Sequence, residues 1–112
     1  MRKTASNYYL NGFGNCAQAV AAAWSNATGS YREKIAELAL CGHGRAPGGL
    51  CGALHAARCL LDIEQADSLT SSFAAQSGGR LACREIRSAK ALKCYECVEL
   101  AAGLLEQHVP QG

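Results

Sequence analysis

β-Forming residues are scarce in this chain, with three Val, three Ile, two Phe and one Trp in 112 residues. Strands draw on β-branched and aromatic side chains, so the scarcity argues against a sheet. The 49% hydrophobic content rests instead on Ala and Leu, which favour helix. No apolar run approaches the ~20 residues of a membrane span. Basic residues do not gather either: 11 Lys and Arg stand against 9 Asp and Glu, with no basic run interleaved with aromatics. That speaks against a nucleic-acid partner. The opening Met1-Arg2-Lys3-Thr4-Ala5-Ser6-Asn7-Tyr8-Tyr9 lacks the apolar centre and small-residue cleavage site of a secretory signal. The expectation is a cytoplasmic chain, a leader lost before this sequence aside. Ser/His/Asp and P-loop patterns are missing, and His43, His55 and His108 have no carboxylate at close spacing, so no enzymatic reaction is read.

What the chain has in excess is cysteine, seven in all. A secreted disulfide scaffold favours an even count and few helices, whereas this count is odd and the chain is helix-rich. In a reducing compartment, clustered cysteines serve as metal ligands or redox thiols. The length suits one domain with a modest core. The expected fold is an all-α, single-domain bundle of about five helices with a Gly-rich loop between the middle ones.

The first segment, Lys3 to about Gly12, is short and ends in Asn11-Gly12-Phe13-Gly14. Asn15 caps a helix along which Cys16, Val20, Ala23 or Trp24, and Ala27 recur at helical spacing, stopping near Thr28-Gly29. Ser30 and Glu33 form a capping box for a short helix with Tyr31, Ile35 and Leu38 on its apolar face, which delivers Cys41 to the loop. Four glycines and a proline between Gly42 and Gly49 forbid regular structure and let the backbone approach something closely. The loop glycines are Gly42, Gly44, Gly48, Gly49 and Gly52. Backbone N–H groups there, followed by a helix N-terminus, favour anionic sulfur, so Cys51 is expected to have a depressed pKa.

On the helix from about Leu50 to Leu61, Leu50, Leu54, Ala57 and Leu61 follow core spacing, and Cys51, His55 and Cys59 step by four along the neighbouring face. Cys59 also suits a small buried hydrophobe, and His55 a surface or hydrogen-bonded residue. Asp62 caps the next helix, with Gln65 at the capping-box position and Ile63, Ala66, Leu69 or Thr70, and Phe73 on its inner face, closing at Ser77-Gly78-Gly79. After Cys83 a short connection, Arg84-Glu85-Ile86-Arg87, is expected to have solvated charges. Ser88 caps the last helix, about Ala89 to His108, with Cys94, Val98, Ala101 and Leu105 on one stripe. This places the Cys94-x-x-Cys97 pair inside a helix and away from a strand, unlike a thioredoxin motif, and Val98 removes the CxxCH haem signature. The other cysteines are too widely spaced for a four-cysteine zinc ribbon.

Asn15-Cys16-Ala17-Gln18-Ala19-Val20, the Gly-rich loop leading to Cys51-Gly52-Ala53, Cys83-Arg84-Glu85-Ile86, and Cys94 followed by Val98 and Ala101-Ala102-Gly103-Leu104-Leu105-Glu106 resemble the C-GCAxxG-C-C family of redox-active proteins. The likeness runs from about Tyr8 to Glu106. The family's cysteines fall on Cys16, Cys51, Cys83 and Cys94, and the resemblance implies a small helical protein with a redox or iron-sulfur role. The chain departs from the pattern at Ala56, where the family has a glycine, in a shorter loop before Cys51, and in the additional Cys41, Cys59 and Cys97. The loop Gly42 to Gly52 is also similar to the iron-sulfur part of split-Soret cytochromes, although no haem-attachment motif is present.

Three functions follow as expectations. The first is an iron-sulfur protein for electron transfer or redox sensing, with Cys51, Cys83 and Cys94 as ligands and Cys41, which brackets the loop, as the fourth; Cys16 is the rival fourth. The second is a metal-free thiol-disulfide protein using Cys51 with Cys83 or Cys94. The third is a helical interaction module with core cysteines. A redox partner protein belongs to the first two, and the Tyr8-Tyr9 and Phe13 region together with small-faced helices leaves room for a homodimer.

Overall fold

Polar side chains fix the starts of two of the longer helices, at Asn15 and Asp62. The computed structural model describes residues 1–29, 32–39, 41, 46–89 and 92–108. Within them lie α1 (Arg2–Leu10), α2 (Cys16–Thr28), α3 (Arg32–Glu37), α4 (Gly52–Cys59), α5 (Ile63–Gln76), α6 (Cys83–Ser88) and α7 (Cys94–Glu106), with a 3₁₀ turn, Pro47–Gly49, ahead of α4. Asn15 caps α2 as expected: its side chain accepts from the Gln18 N–H at 2.8 Å, and Gln18 Oε1 accepts from the Asn15 N–H at 3.1 Å. The same two side chains reach a second helix. Asn15 Nδ2 donates to the carbonyls of Leu38 at 3.0 Å and Ala39 at 2.9 Å, and Gln18 Nε2 donates to that of Ile35 at 2.9 Å. The cap therefore also latches α3 onto α2. Removing it in Asn15→Ala is expected to cost about 2 kcal/mol, the upper end of cap losses, because two tertiary hydrogen bonds go with it. Urea denaturation measures this, and a loss below about 0.5 kcal/mol contradicts the latch.

The described residues form seven α-helices where about five were expected, and no strand. The opening segment is a full helix. The stretch expected as a solvated connection is α6, in which Ile86 is 1% exposed, because Ile86 brings an apolar side chain to the core and its N–H bonds the Ala82 carbonyl at 3.0 Å. The last helix begins at Cys94 rather than Ala89. Lys93 stands at its cap, its N–H donating to Glu96 Oε1 at 2.9 Å and its carbonyl accepting from the Cys97 N–H at 3.0 Å, while Ser88 ends α6. Asp62 does cap α5, accepting from the Gln65 N–H at 2.8 Å. Ile63, expected on the inner face, is 80% exposed; as the first helical residue it precedes the turn that Ala66, Leu69 and Phe73 bury. Ser30, Tyr31, Gly42, His43 and Gly44 lie outside the described residues.

At the centre α2, α4 and α7 pack together, and many of their buried residues are small: Ala17 and Ala21 on α2, Ala53, Ala56 and Ala57 on α4, and Ala101 and Ala102 on α7. Such residues let helix axes approach closely. Val20, Leu54, Val98 and Leu105 fill the space between, all fully buried. The last helix thus buries the Val98, Ala101 and Leu105 stripe that its spacing predicts. The outer helices pack around this trio: α1 on α2 and α7, α3 on α2, and α5 on α4 and α7. Arg58 ties α4 to α5 by donating to Thr70 Oγ1 at 2.6 Å and pairing with Asp67 at 3.3 Å. One isolated antiparallel bridge joins Leu50 to Ala82, and beside it the Cys51 N–H donates to the Leu81 carbonyl at 2.8 Å. The chain entering α4 thereby lies alongside the chain entering α6. Among the described residues no helix is long and apolar enough to cross a membrane.

Candidate functional site

Four helices open on a cysteine. Cys16 is the first residue of α2, Cys51 the N-cap of α4, Cys83 the first residue of α6 and Cys94 the first residue of α7. Packing of α2, α4 and α7, together with the Leu50–Ala82 bridge, gathers these starts. The result is one pocket walled by Cys16, Cys51, Cys83, Cys94 and Cys97, with Tyr9, Gly52, Ile86 and Leu92 completing the lining. Its cavity measures about 20 Å³, room for a single water-sized molecule. No disulfide joins the seven cysteines.

Within the pocket two thiols form a pair. Cys51 and Cys97 are 4% and 5% exposed and hydrogen-bonded to each other. The Cys97 thiol, donating to the Cys51 sulfur, is the main reason that Cys51 falls from 9.0 to about 7. Burial opposes this, and the backbone amides of Leu54 and Ala53 at the start of α4 reinforce it. Cys97 is pushed up, first by the same hydrogen bond, then by burial and by negative charge on Cys51, Cys94 and Cys16. As pH rises through about 7 the pair therefore passes to one shared proton, with Cys51 as the thiolate and Cys97 as the thiol. A thiolate beside a held thiol has a nucleophile and a resolving group already in contact.

Four of the five expected site cysteines meet here, Cys16, Cys51, Cys83 and Cys94. Cys41 does not line the pocket; it is half-buried, and its carbonyl rather than its thiol approaches the site, against Gly52. The expected stripe of Cys51, His55 and Cys59 divides, because Cys51 sits at the cap and is buried while Cys59 is exposed, its sulfur 3.5 Å from His55 Nε2. Burial, and then Arg58, lower the proton affinity of His55. Of the loop glycines, Gly48 and Gly49 form the 3₁₀ turn with φ of +71° each, and Gly52 is the first residue of α4. Gly42 and Gly44 lie outside the described residues.

The residue that sequence reasoning missed is Cys97. Its signal was the CxxC spacing, set aside because no strand precedes it as in a thioredoxin motif; with the helix starting at Cys94, five residues later than expected, the pair occupies the first turn. Among the described residues no three His, Cys, Asp or Glu side chains are placed to hold a single metal ion. No family model matches this chain, nor does any curated protein or solved structure.

Proposed function

We propose that the chain is a small redox protein whose working part is the cysteine pocket, and whose reaction is the reversible joining of Cys51 and Cys97. Two thiols become one disulfide, releasing two protons and two electrons to a disulfide or peroxide oxidant; a partner dithiol reverses the step. The observation that carries this reading is the meeting of the buried Cys51 and Cys97 in one pocket, where their interaction holds Cys51 below the ordinary thiol range. Cys83 and Cys94 line the same pocket and are alternative resolving thiols, but Cys97 is the one whose hydrogen bond most lowers Cys51. Mild oxidation followed by alkylation and peptide mass spectrometry is expected to find a Cys51–Cys97 disulfide that dithiothreitol reverses. A bridge that leaves out Cys51 overturns the reading.

A second reading is an iron-sulfur cluster held by Cys16, Cys51, Cys83 and Cys94, the four positions carried by the resemblance to the C-GCAxxG-C-C family. It is favoured by their arrival at one pocket from the starts of four helices. The donor set fits, because soft thiolates are the ligands of such clusters and each can bind a different iron. In this reading Cys16 takes the place expected of Cys41, since Cys16 lines the pocket. When bound, the cluster supplies one-electron transfer. The protein's part is to hold the thiolates, exclude water with Tyr9, Ile86 and Leu92, and widen a cavity of about 20 Å³ to admit the group. Anaerobic purification with iron and sulfide analysis separates the readings: a colourless protein that stays empty after reconstitution removes this one.

A further inference from the structure

We propose that the oxidant of this pocket is a water-sized hydroperoxide, hydrogen peroxide itself, with Cys51 as the attacking sulfur and Cys97 as the resolving thiol. The inference rests on the thiol reading above and adds its substrate. Three features of the molecule select the oxidant. The cavity takes about one water-sized molecule. Cys51 and Cys97 are 4% and 5% exposed, so a disulfide carried by a protein or by glutathione must open the pocket before its S–S bond can align with Cys51, whereas a small peroxide need not. Among the described residues, the wall beside the cysteines is made by Tyr9, Gly52, Ile86 and Leu92, none of them charged, so nothing there draws in an ionic oxidant.

The step balances without a further reactant. The Cys51 thiolate attacks one peroxide oxygen; an S–O bond forms, the O–O bond breaks, and the departing hydroxide takes a proton and leaves as water. Cys51 is then a sulfenic acid, oxidised by two electrons, and the peroxide is reduced by two. Cys97 next attacks the Cys51 sulfur. The S–S bond forms, the S–O bond breaks, and the Cys97 proton leaves with the oxygen as a second water. Two thiols and one hydrogen peroxide yield one disulfide and two waters. The Cys97 thiol is already hydrogen-bonded to the sulfur it must attack, so resolution needs no search.

The test is a comparison of oxidants on the full chain, with each cysteine followed by mass spectrometry. Hydrogen peroxide is expected to oxidise Cys51 at least about 10-fold faster than tert-butyl hydroperoxide or glutathione disulfide at equal concentration, since only the smallest fits without opening the pocket. In Cys97→Ser, and in Cys97→Ala as a second variant, Cys51 is expected to accumulate as a sulfenic acid captured by dimedone. If glutathione disulfide reacts as fast as hydrogen peroxide, the inferred substrate is wrong and the thiol reading stands. If no oxidant joins Cys51 to Cys97 in the unaltered chain, the thiol reading falls and the substrate with it. The rate ratio in the unaltered chain decides even where a variant fails to fold.

Discussion

In Cys97→Ala, Cys51 is expected to keep its proton to near or above the ordinary thiol value of 9.0, instead of releasing it at about 7. The sign follows from the order of causes. The strongest influence lowering Cys51 is the Cys97 hydrogen bond; without it, burial, which favours the neutral thiol, is the largest remaining influence and is opposed only by the two weaker amides at the start of α4. With the midpoint back at 9.0, the thiolate share at pH 7 is about one hundredth instead of about one half, a loss of about 50-fold in the form that attacks oxidants. In the unaltered chain, reactivity of Cys51 rises as pH passes upward through about 7; in the variant the rise moves about two pH units higher. The ¹³Cβ chemical shift of Cys51, followed by NMR across this range, reads the titration directly and does not depend on reagent access to a buried sulfur. Cys97→Ser keeps a donor and is expected to fall between the two. A midpoint that stays near 7 in Cys97→Ala would assign the activation to the helix amides and dissolve the pair.

The second large effect is expected from Gly52→Ala. A Cβ at Gly52 would stand 2.6 Å from the Cys16 sulfur and 2.6 Å from the Cys41 carbonyl oxygen. Neither neighbour yields cheaply: one is a short side chain in the pocket wall, the other is backbone. The start of α4 must move away from that of α2, at a cost of about 2–3 kcal/mol, typical of overpacking in a filled core. For a domain of this size that lowers Tm by about 10 °C. It also separates the Cys16 and Cys51 walls, so the pocket loses its geometry along with stability. Gly103→Ala is the control. Its Cβ would also collide, but with the side chain of Arg2, which is exposed and swings aside, while alanine gains up to about 1 kcal/mol of helix propensity. Calorimetry of the two variants is therefore expected to show a large loss for Gly52 and nearly none for Gly103. Equal losses would mean that close approach at the α4 start is not what the pocket requires.

Much of this architecture is legible along the chain because it is governed by neighbours a few residues apart. Asn15 and Asp62 cap helices through their own amides three residues on, and the Val98, Ala101 and Leu105 stripe is a matter of helical period. The errors have a common cause. Lys93 is not a residue that announces a helix start, whereas Ser88 is, so the last helix was expected five residues early and Cys94 and Cys97 were taken for the middle of a helix. The run from Arg84 to Arg87 has too much charge and too few apolar residues to suggest a helix; only the burial of Ile86 against the core makes it one. Cys41 brackets the Gly-rich loop in sequence, but bracketing fixes where the backbone goes and not where the thiol points.

By itself the sequence determined that this protein is helical and rich in cysteine. That rests on composition, period and local capping, which act within a turn or two of chain, whereas the set Cys16, Cys51, Cys83 and Cys94 came from the family resemblance. Which sulfurs meet was decided by the tertiary structure. The Leu50–Ala82 bridge and the close packing of α2, α4 and α7 bring together cysteines 16 to 94 residues along, and they seat Cys97 against Cys51. A proton shared between two buried sulfurs depends on contact and dehydration, and neither exists until the helices have packed.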